Sequence, residues 1–371
     1  MALLRLLADD LTGALDTAVE FVGVCGPLDV SWMETLPPTL SGNLVLDSGT
    51  RELDKAQVLP IVERLVPMLY DATIAFKKVD SLMRGEWAAE LAACLRSGRW
   101  SSCIVAPAWL NQGRRTRGGQ QFAKTGDGGW SPVGGNILTQ LAAEGIEARQ
   151  GEPANELPSG ISVFDADSDD DLDRVVALGR RAAGSVLWVG SGGLSRALAR
   201  GNEVSVSSRL QAPVLGLFGS DQLATVAQLA ACEPQTITLA EGAPDNARDV
   251  EQRLATDGVV LARFGLPFGL TRADAARRIA RELAAITLQL QPPGTLIVAG
   301  GETLKALCVS LGARSLKLTG QVMSGLPRSV IQGGRWSGVE VVSKSGSLGT
   351  PNLWRDLLRS NHLIPERTGV R

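Results

Sequence analysis

The stretch Leu3-Leu4-Arg5-Leu6-Leu7-Ala8-Asp9-Asp10-Leu11-Thr12-Gly13-Ala14-Leu15-Asp16 decides the fold of this chain. Its apolar beginning suits a buried strand that ends in two carboxylates. A helix is indicated next by apolar residues at a 3.6-residue period, namely Ala14, Leu15, Ala18, Val19 and Val22. The stretch therefore predicts a strand, a tight polar turn that holds Asp9 and Asp10, and a helix.

Asp9 and Asp10 lie where an open parallel sheet binds ligands, outside the carboxyl ends of its strands. Two carboxylates there can accept hydrogen bonds from a polyol, hold a cation or take a proton. The alternative is that Asp10 or Thr12 simply caps the helix, since Asp and Thr are favourable N-cap residues. A cap needs only one carboxylate, so the pair favours a functional site.

The length of 371 residues exceeds the roughly 250 to 300 at which one core usually stops growing, so two domains are expected. Hydrophobic residues make up 44% of the chain and charged residues 20%, which is ordinary for a globular protein. A formal net charge of -2 argues against generic binding to nucleic acid or to an anionic membrane. Any anionic ligand must therefore be met by local positive groups.

The five cysteines are widely spaced and contain no Cys-x-x-Cys pair, which excludes the usual zinc frameworks and favours reduced thiols in the cytoplasm. We find no signal peptide and no apolar span near the ~20 residues of a membrane helix. The single histidine, His362, lies in a polar tail, which argues against a Ser-His-Asp triad. The chemistry must depend on carboxylates, lysine, arginine and backbone dipoles.

Short apolar runs alternate with amphipathic stretches, which is typical of α/β architecture. We expect two α/β domains, each with a mostly parallel or mixed sheet flanked by helices. A polar linker at 201–211 divides them, giving domains at 1–205 and 212–371. The predicted strands, besides the first, are Leu28–Met33, Leu44–Asp47, Ile74–Val79, Cys103–Pro107, Ser162–Asp165, Val186–Gly190, Val214–Phe218, Gly258–Phe264, Thr295–Ala299 and Val339–Val342.

A second carboxylate site follows the strand Ile74–Val79. The residues Lys78, Asp80, Ser81 and Arg84 leave one strand end and precede a helix. Arginine binds carboxylates in a bidentate manner, so this group could clamp a small carboxylate or hydroxy acid. The alternative is a solvated turn with a surface ion pair. Two strands that end in the same chemistry favour the site.

The segment from Gly113 to Gly135 interrupts the α/β alternation and is rich in glycine and basic residues. A long irregular segment in a compact domain is either functional or disordered. We favour an ordered functional loop, with a hairpin as one possible form. Its Gly113 and Arg114 would reach the same edge of the sheet as the carboxylates.

The second half of the chain has three glycine-bearing turns after predicted strands. They are Gly219-Ser220, Gly300-Gly301-Glu302-Thr303 and Lys344-Ser345-Gly346-Ser347-Leu348-Gly349. Glycine lets a phosphate approach the backbone, and a helix N-terminus favours the anion. Each turn alone could be an ordinary tight turn, but three in one domain favour a nucleotide site. The Walker, protein-kinase and complete G-x-G-x-x-G signatures are missing.

Together these motifs resemble the four-carbon acid sugar kinase family. The most specific matches are Ala8–Ala14 to its Ala-Asp-Asp-Leu-Thr-Gly-Ala block and Lys78–Gly85 to its Lys-Val-Asp-Ser-x-x-Arg-Gly block. Less specific matches follow in the expected order: Pro107-Ala108, Gly113-Arg114, Gly190–Leu194 and the three glycine turns. The resemblance spans essentially the whole chain.

The resemblance implies an ATP-dependent kinase, with a sugar-acid domain first and an ATP domain second. The acceptor would be a compound such as threonate, erythronate or an oxo-tetronate, and Mg²⁺ would accompany ATP without an assigned protein ligand. A homo-oligomer stays open. The implied substrate-facing residues are Asp9, Asp10, Lys78, Asp80, Ser81, Arg84, Gly113 and Arg114; the implied ATP-facing residues are Ser220, Gly300, Gly301, Glu302, Thr303, Lys344 and Gly346.

For catalysis, Asp10 is the first choice as the base that takes the hydroxyl proton and Asp80 the second, while Arg84 would hold the substrate carboxylate. One rival is a non-catalytic binding protein of the same fold. It is suggested by Glu302, where the family usually has aspartate, and by Thr350, where Ser347-Leu348-Gly349-Thr350 replaces Gly-Phe-Gly-Asp. An NAD-dependent dehydrogenase is a weaker rival, because the dinucleotide fingerprint is incomplete.

Overall fold

A computed structural model of the protein describes residues 2–32, 41–96, 98–152 and 156–365. The chain divides into two compact units, Met1–Val204 and Ser205–Arg371. Each unit has an α/β fold with its own sheet and flanking helices, so the predicted fold class is confirmed. Among the described residues, no helix has the length and apolar character needed to span a membrane.

The elements of the first unit, in chain order, are β1 (Leu4–Ala8), α1 (Leu11–Ala18), α2 (Val22–Cys25), β2 (Leu28–Ser31), β3 (Leu44–Asp47), α3 (Lys55–Leu65), β4 (Ile74–Lys78), α4 (Trp87–Leu95), β5 (Ser102–Ala106), β6 (Arg114–Arg117), β7 (Gln120–Lys124), β8 (Trp130–Val133), α5 (Ile137–Ala143), β9 (Ala148–Gln150), β10 (Gly160–Val163), α6 (Asp169–Arg180), β11 (Val186–Gly190) and α7 (Gly192–Ala199). Short 3₁₀ helices lie at Val19–Phe21, Val66–Leu69 and Leu110–Gln112.

The main sheet of the first unit is parallel, with strand order β2-β3-β1-β4-β11-β5-β10-β9. All five residues of β1 are buried, as expected for a strand covered on both faces. From β1 the chain first builds β2 and β3 on one side and then crosses to β4 on the other. The β1–β4 boundary is therefore a topological switch point, where open α/β sheets bind their ligands.

The elements of the second unit are β12 (Val214–Phe218), α8 (Leu223–Ala230), β13 (Thr236–Ala240), α9 (Asn246–Asp257), β14 (Val259–Gly265), α10 (Arg272–Thr287), β15 (Thr295–Ala299), α11 (Gly301–Ser310), β16 (Ser315–Met323), β17 (Leu326–Gln332), β18 (Glu340–Lys344) and α12 (Leu353–Ser360). Its strand order is β13-β14-β12-β15-β18-β17-β16. The sheet is mixed because β17 runs antiparallel to both of its neighbours, β16 and β18. Here the chain leaves β12 for β13 and β14 and then crosses to β15. A second switch point therefore lies between β12 and β15.

Each unit has its own apolar core. In the first, helices α3 and α4 pack on the sheet through residues such as Val62, Leu65 and Leu91, which are fully buried. In the second, Trp354 of α12 is fully buried and meets Phe218 of β12 edge to face, with ring centroids 6.2 Å apart. Such an aromatic pair adds about 0.5–1.5 kcal/mol beyond its buried area.

Every predicted strand is present, with ends within two residues of the predicted ones; Met33, the end of one prediction, lies outside the described residues. The prediction missed the short edge strands β9 and β13 and the hairpin of β16 and β17. It also left the segment from Gly113 to Gly135 as a loop or hairpin, whereas β6, β7 and β8 form a three-stranded antiparallel sheet there. These strands are polar and only partly buried, so they lack the apolar runs that identify buried parallel strands.

Candidate functional site

The carboxylates predicted from the sequence meet at the switch point of the first unit. Asp9 and Asp10 follow β1, and Asp80 follows β4, which is the neighbour of β1 in the sheet. Asp9 is 2% exposed and Asp80 is 5% exposed. Three carboxylates in so small and buried a space would repel one another, so a cation must lie among them.

That cation is Arg51, which comes from the loop after β3 on the other side of β1. Its Nε donates to Asp9 Oδ2 at 2.5 Å, and its Nη2 donates to Asp9 Oδ1 at 2.6 Å and to Asp10 Oδ1 at 2.7 Å. Its Nη1 lies 3.1 Å from Asp80 Oδ1. One guanidinium thus connects all three carboxylates, and their charges raise its pKa well above the usual value although burial opposes this.

Arg51 also sets the protonation of its partners. Burial alone would raise the pKa of Asp9, but the bidentate contact with Arg51 outweighs burial and holds that pKa below its ordinary value. Sequence reasoning missed Arg51 altogether. It follows the strand Leu44–Asp47 by a few residues, and a single arginine in a polar loop carries no motif that distinguishes it from a surface residue.

Asp10 differs from the other two carboxylates. Its backbone is extended and its Oδ1 accepts from Gly13 N at 2.8 Å, so Asp10 caps α1, which was the alternative interpretation of this residue from the sequence. The cap and the contact with Arg51 both use Oδ1. The Asp10 side chain is 26% exposed, and within the described part of the chain its Oδ2 accepts no hydrogen bond. Asp10 therefore both caps a helix and presents a free carboxylate oxygen.

Asp80 has both oxygens occupied. Arg84 Nε and Nη2 donate to them at 2.7 Å and 2.9 Å, and the Leu82 and Arg84 amides also donate to Oδ2. Burial would raise the pKa of Asp80, but Arg84 and Arg51 outweigh burial and hold it well below its usual range. Such a group is a poor proton acceptor at neutral pH. Arg84 keeps its side chain 48% exposed at the rim while it pairs with Asp80.

Lys78 ends β4 and is 3% exposed. Its Nζ donates to Val79 O at 2.7 Å, and its charge lies close to Asp9, Asp10 and Asp80. Burial lowers the pKa of Lys78 although the carboxylates oppose this shift. The approach depends on Gly13, because a Cβ there would lie 2.6 Å from Asp10 Oδ1 and 2.8 Å from Lys78 Nζ. This explains the glycine in the Ala-Asp-Asp-Leu-Thr-Gly-Ala block.

The small antiparallel sheet of β6, β7 and β8 brings Arg114 to the carboxylate group. Gln121 of β7 is fully buried and its Nε2 donates to Ser81 O at 2.9 Å and to Pro107 O at 3.2 Å, which ties the small sheet to the loops after β4 and β5. Gly113 has a left-handed backbone, with φ 65°, that turns the chain into β6. Burial lowers the pKa of Arg114, and Asp80 and Arg84 are the charges it feels most.

Asp16 on α1 is a further buried carboxyl group close to Lys78 and Asp10. Burial raises its pKa to about 8. The group is therefore mostly neutral at pH 7. Its neighbours in the site are the carboxyl groups of Asp9, Asp10 and Asp80 and the basic side chains of Arg51, Lys78, Arg84 and Arg114.

The glycine turns of the second unit meet at its switch point. A Cβ on Gly219, after β12, would lie 2.5 Å from the Oγ1 of Thr303 in α11. A Cβ on Gly346, after β18, would lie 2.5 Å from the Oγ of Ser220. The three turns are thus packed closely, and a side chain at Gly219 or Gly346 would displace the hydroxyl of Thr303 or of Ser220. Gly300 precedes α11 with φ 100°, and Gly301 opens the helix. The arrangement gives an anion a helix N-terminus and free backbone amides.

Two charged residues were also predicted to face the nucleotide, namely Lys344, which is buried, and Glu302, which is half exposed. Lys344 is 1% exposed, and its Nζ donates to Ser345 O at 3.0 Å and to Gly346 O at 3.2 Å, which holds the third turn in place. Glu302, in the first turn of α11, lies 3.3 Å from Arg272, and both side chains are at least half exposed.

The Mg²⁺ ion that the sequence resemblance implies would need oxygen ligands that are free to bind it. Asp9 and Asp80 have all their oxygens bonded to guanidinium or amide groups. In the ranges that the structure describes, no group of three or more His, Cys, Asp or Glu side chains could hold a metal ion. Asp9 and Asp80 therefore belong to an arginine-paired cluster.

Comparison with known proteins agrees with this division of chemistry. The family model for a sugar-binding N-terminal domain matches residues 4–145, and the model for a nucleotide-binding C-terminal domain matches residues 215–353. The first range contains the carboxylates and their cations. The second contains the three glycine turns.

Similar proteins cover the whole chain. It is 32% identical to a Bordetella bronchiseptica protein named D-threonate kinase, over 98% of this chain and 97% of that protein. It is 31% identical to a Methylobacterium radiotolerans protein named 3-oxo-tetronate kinase, over 59% of this chain and 58% of that protein. A crystal structure from Salmonella typhimurium LT2 has the same fold, with a TM-score of 0.72 at 18% identity, and covers 97% of this chain and 100% of its own.

The family models and the curated relatives show a phosphotransferase that acts on a hydroxyl group, with a sugar-binding domain followed by a nucleotide-binding domain. The chain belongs to the four-carbon acid sugar kinase family.

Proposed function

We propose that this protein is an ATP-dependent kinase that phosphorylates a hydroxyl of a four-carbon sugar acid, with D-threonate as the first candidate substrate. In this proposal residues 1–205 bind the sugar acid and residues 212–371 bind ATP. The observation that carries it is the free Oδ2 of Asp10, whose other oxygen, Oδ1, accepts from Arg51 at the switch point of a domain whose family model is sugar-binding. The name of the Bordetella relative supports the choice of acid.

The basic side chains of the site support a carboxylate ligand. Arg84 and Arg114 both lie near Asp80, and an arginine can bind a carboxylate in a bidentate manner. Arg84 has a side chain that is 48% exposed and Arg114 is partly exposed, whereas the side chain of Arg51 is 9% exposed and Lys78 is 3% exposed. We assign the substrate carboxylate to Arg84 and Arg114, with the Ser81 hydroxyl and the turn at Gly113 beside them.

In the proposed reaction, a substrate hydroxyl donates its proton to Asp10 Oδ2 while its oxygen attacks the γ-phosphorus of ATP. The bond between the γ-phosphorus and the β,γ-bridging oxygen breaks, and ADP leaves. Phosphoryl transfer depends mainly on positioning and charge stabilisation, so a carboxylate fixed by Arg51 and by the α1 cap suits the task. Asp80, with both oxygens occupied, is the less suitable base.

In the second unit, we assign the phosphates of ATP to the turns at Ser220, Gly300, Gly301, Thr303 and Gly346, with Lys344 holding the third turn and Glu302 at its border. Mg²⁺ is expected to arrive with ATP. Mg²⁺ in such sites is bound largely by substrate phosphates and water, which agrees with an arginine-paired carboxylate cluster.

The test is a coupled ADP-release assay with ATP and Mg²⁺ on a panel of acids: both threonates, both erythronates and 3-oxo-tetronate. The uncharged polyol threitol is the control, because it keeps the hydroxyls and lacks the carboxylate. We expect ADP release and a product heavier by one phosphoryl group with at least one acid, and none with threitol. Absence of ADP release with every acid would overturn the proposal.

A further inference from the structure

A chain of buried polar groups lies beneath the candidate active site, and neither the sequence motifs nor the proposed reaction uses it. Its members are Glu90 on α4, Lys77 on β4, and Ser48 and Thr50 in the loop after β3. Lys77 and Thr50 are fully buried, and Glu90 is 1% exposed. A buried ion pair loses hydration energy, and this cost is offset only when the geometry of the pair is favourable and further hydrogen bonds satisfy its remaining polar atoms.

The contacts run in one direction from the core to the loop of Arg51. Lys77 Nζ lies 2.6 Å from Glu90 Oε2 and donates to Lys78 O at 3.0 Å. Glu90 Oε1 accepts from Thr50 Oγ1 at 2.7 Å. The Thr50 hydroxyl lies 2.7 Å from Ser48 Oγ. Glu90 therefore connects the end of β4 with the loop that follows β3.

The same loop is joined to the strand end that carries the carboxylates. The amide and the hydroxyl of Ser48 both donate to Ala8 O at 2.8 Å, and Arg51 N donates to Asp9 O at 3.1 Å. Gly85 packs against the other side of the loop, since a Cβ there would lie 2.9 Å from Arg51 O. The backbone of Arg51 is thus held by contacts that do not involve its guanidinium group.

The electrostatics of the pair agree with an ionised network. Burial alone would lower the pKa of Lys77, but Glu90 and Asp9 outweigh burial and raise it. Glu90 lies in the first turn of α4, where the helix dipole favours a negative charge, and α4 has no side-chain cap of its own. The raised pKa keeps Lys77 charged at neutral pH.

We propose that Glu90, acting through Thr50, is a positioning residue that sets the place of Arg51 and thereby of the free oxygen of Asp10. This inference rests on the proposed function, because it assigns the network a role in that reaction. Thr50 is the link to test, since it touches Glu90 and Ser48 and belongs to neither the ion pair nor the carboxylate group.

The experiment compares Thr50→Val, which keeps the side-chain volume and removes the hydroxyl, with Thr50→Ser, which keeps the hydroxyl and removes the methyl group. The matched control is Thr287→Val, because Thr287 is also buried and lies near the end of α10 in the second unit. We expect Thr50→Val to lower kcat by about fivefold to twentyfold with the KM for ATP unchanged, consistent with the cost of small misplacements. Thr50→Ser and Thr287→Val should remain within about twofold of wild type.

A double-mutant cycle separates positioning from a general loss of stability. Because Thr50 acts through Arg51, the effect of Thr50→Val should fall to about twofold or less when it is introduced into Arg51→Lys, whereas independent effects would multiply. Equal loss of kcat in both backgrounds, or wild-type kcat in folded Thr50→Val, would overturn the inference. Failure of the proposed function is distinct, since the wild-type protein itself would then release no ADP.

Discussion

The two units have similar strand connections at their switch points but different groups there, charged side chains in the first and glycine turns in the second. In each unit, parallel strands mark the point at which the chain begins to add strands on the other side of the sheet, between β1 and β4 in the first unit and between β12 and β15 in the second. The first switch point is filled with charged side chains, whereas the second is lined by glycine turns and a helix N-terminus. The same topology thus supports a side-chain site in one unit and a backbone site in the other.

The difference agrees with the two kinds of ligand that we propose, a small acid in the first unit and phosphates in the second. Small acids differ in the position of hydroxyl and carboxylate groups, and side chains can be matched to those positions individually. Phosphates need closely spaced N–H donors, which backbone amides supply once Cβ atoms are absent. The first unit should therefore be sensitive to changes of charge, and the second to changes of volume.

The largest effect should come from Asp10→Asn. Asparagine is as good an N-cap as aspartate, so α1 keeps its cap while the base is lost. We expect kcat to fall by about 10²–10⁴-fold, the usual contribution of a general base. Steady-state kinetics with the best acid from the panel measures it, and Asp29→Asn, an exposed aspartate on β2, is the control. Full turnover by Asp10→Asn would exclude this residue as the base.

Arg51→Lys should have the next largest effect. Lysine keeps the charge but cannot make the bidentate contact with Asp9 and also reach Asp10 and Asp80. We expect kcat/KM for the acid to fall by up to about 100-fold, with the KM for ATP within about threefold of wild type. A variant with normal kinetics would mean that Asp9, Asp10 and Asp80 keep their active arrangement without the guanidinium of Arg51.

Removing the charge, in Arg51→Gln, also tests the pKa shifts. The pKa of Asp9 and of Asp80 lies below the ordinary value in the fold, so the stability these groups contribute is fully present above about pH 4 and is lost as the pH falls further. Without Arg51 their folded pKa values rise, and acid unfolding followed by circular dichroism should begin at a higher pH. An unchanged acid midpoint would contradict this assignment.

Volume, and not charge, should matter in the second unit. In Gly346→Ala the new methyl group would lie 2.5 Å from Ser220 Oγ, so the Ser220 hydroxyl must move from its place between the two turns. We expect the KM for ATP to rise by about tenfold, which corresponds to about 1.4 kcal/mol, while the KM for the acid changes little. Gly126→Ala is the matched control, because nothing lies within 4 Å of the position that its new methyl group would take. A larger effect on the acid than on ATP would reverse the comparison.

From the sequence, the residues that lie together at each switch point could be predicted better than the contacts among them. Asp9, Asp10 and Asp80 could be identified because each ends an apolar run, and the glycine turns because each follows one. Arg51 could not, since its importance depends on β3 lying beside β1, a neighbour relation that arises from tertiary structure. The β6–β8 sheet was missed for a related reason, because polar antiparallel strands are held by partners distant in the chain, such as the loops bonded by Gln121.

The smallest effect should come from Glu302→Asp, although Glu302 is one of the positions where the chain departs from its family. Its side chain is 50% exposed and pairs at 3.3 Å with an Arg272 that is itself 61% exposed. Exposed pairs of this kind contribute about 0–1 kcal/mol, and aspartate keeps a negative charge in the first turn of α11. We therefore expect kcat and the KM for ATP to stay within about threefold of wild type in steady-state kinetics at several ATP concentrations. A change above tenfold would show that the second site, like the first, depends on a side-chain charge, and the contrast between the two switch points would then not hold.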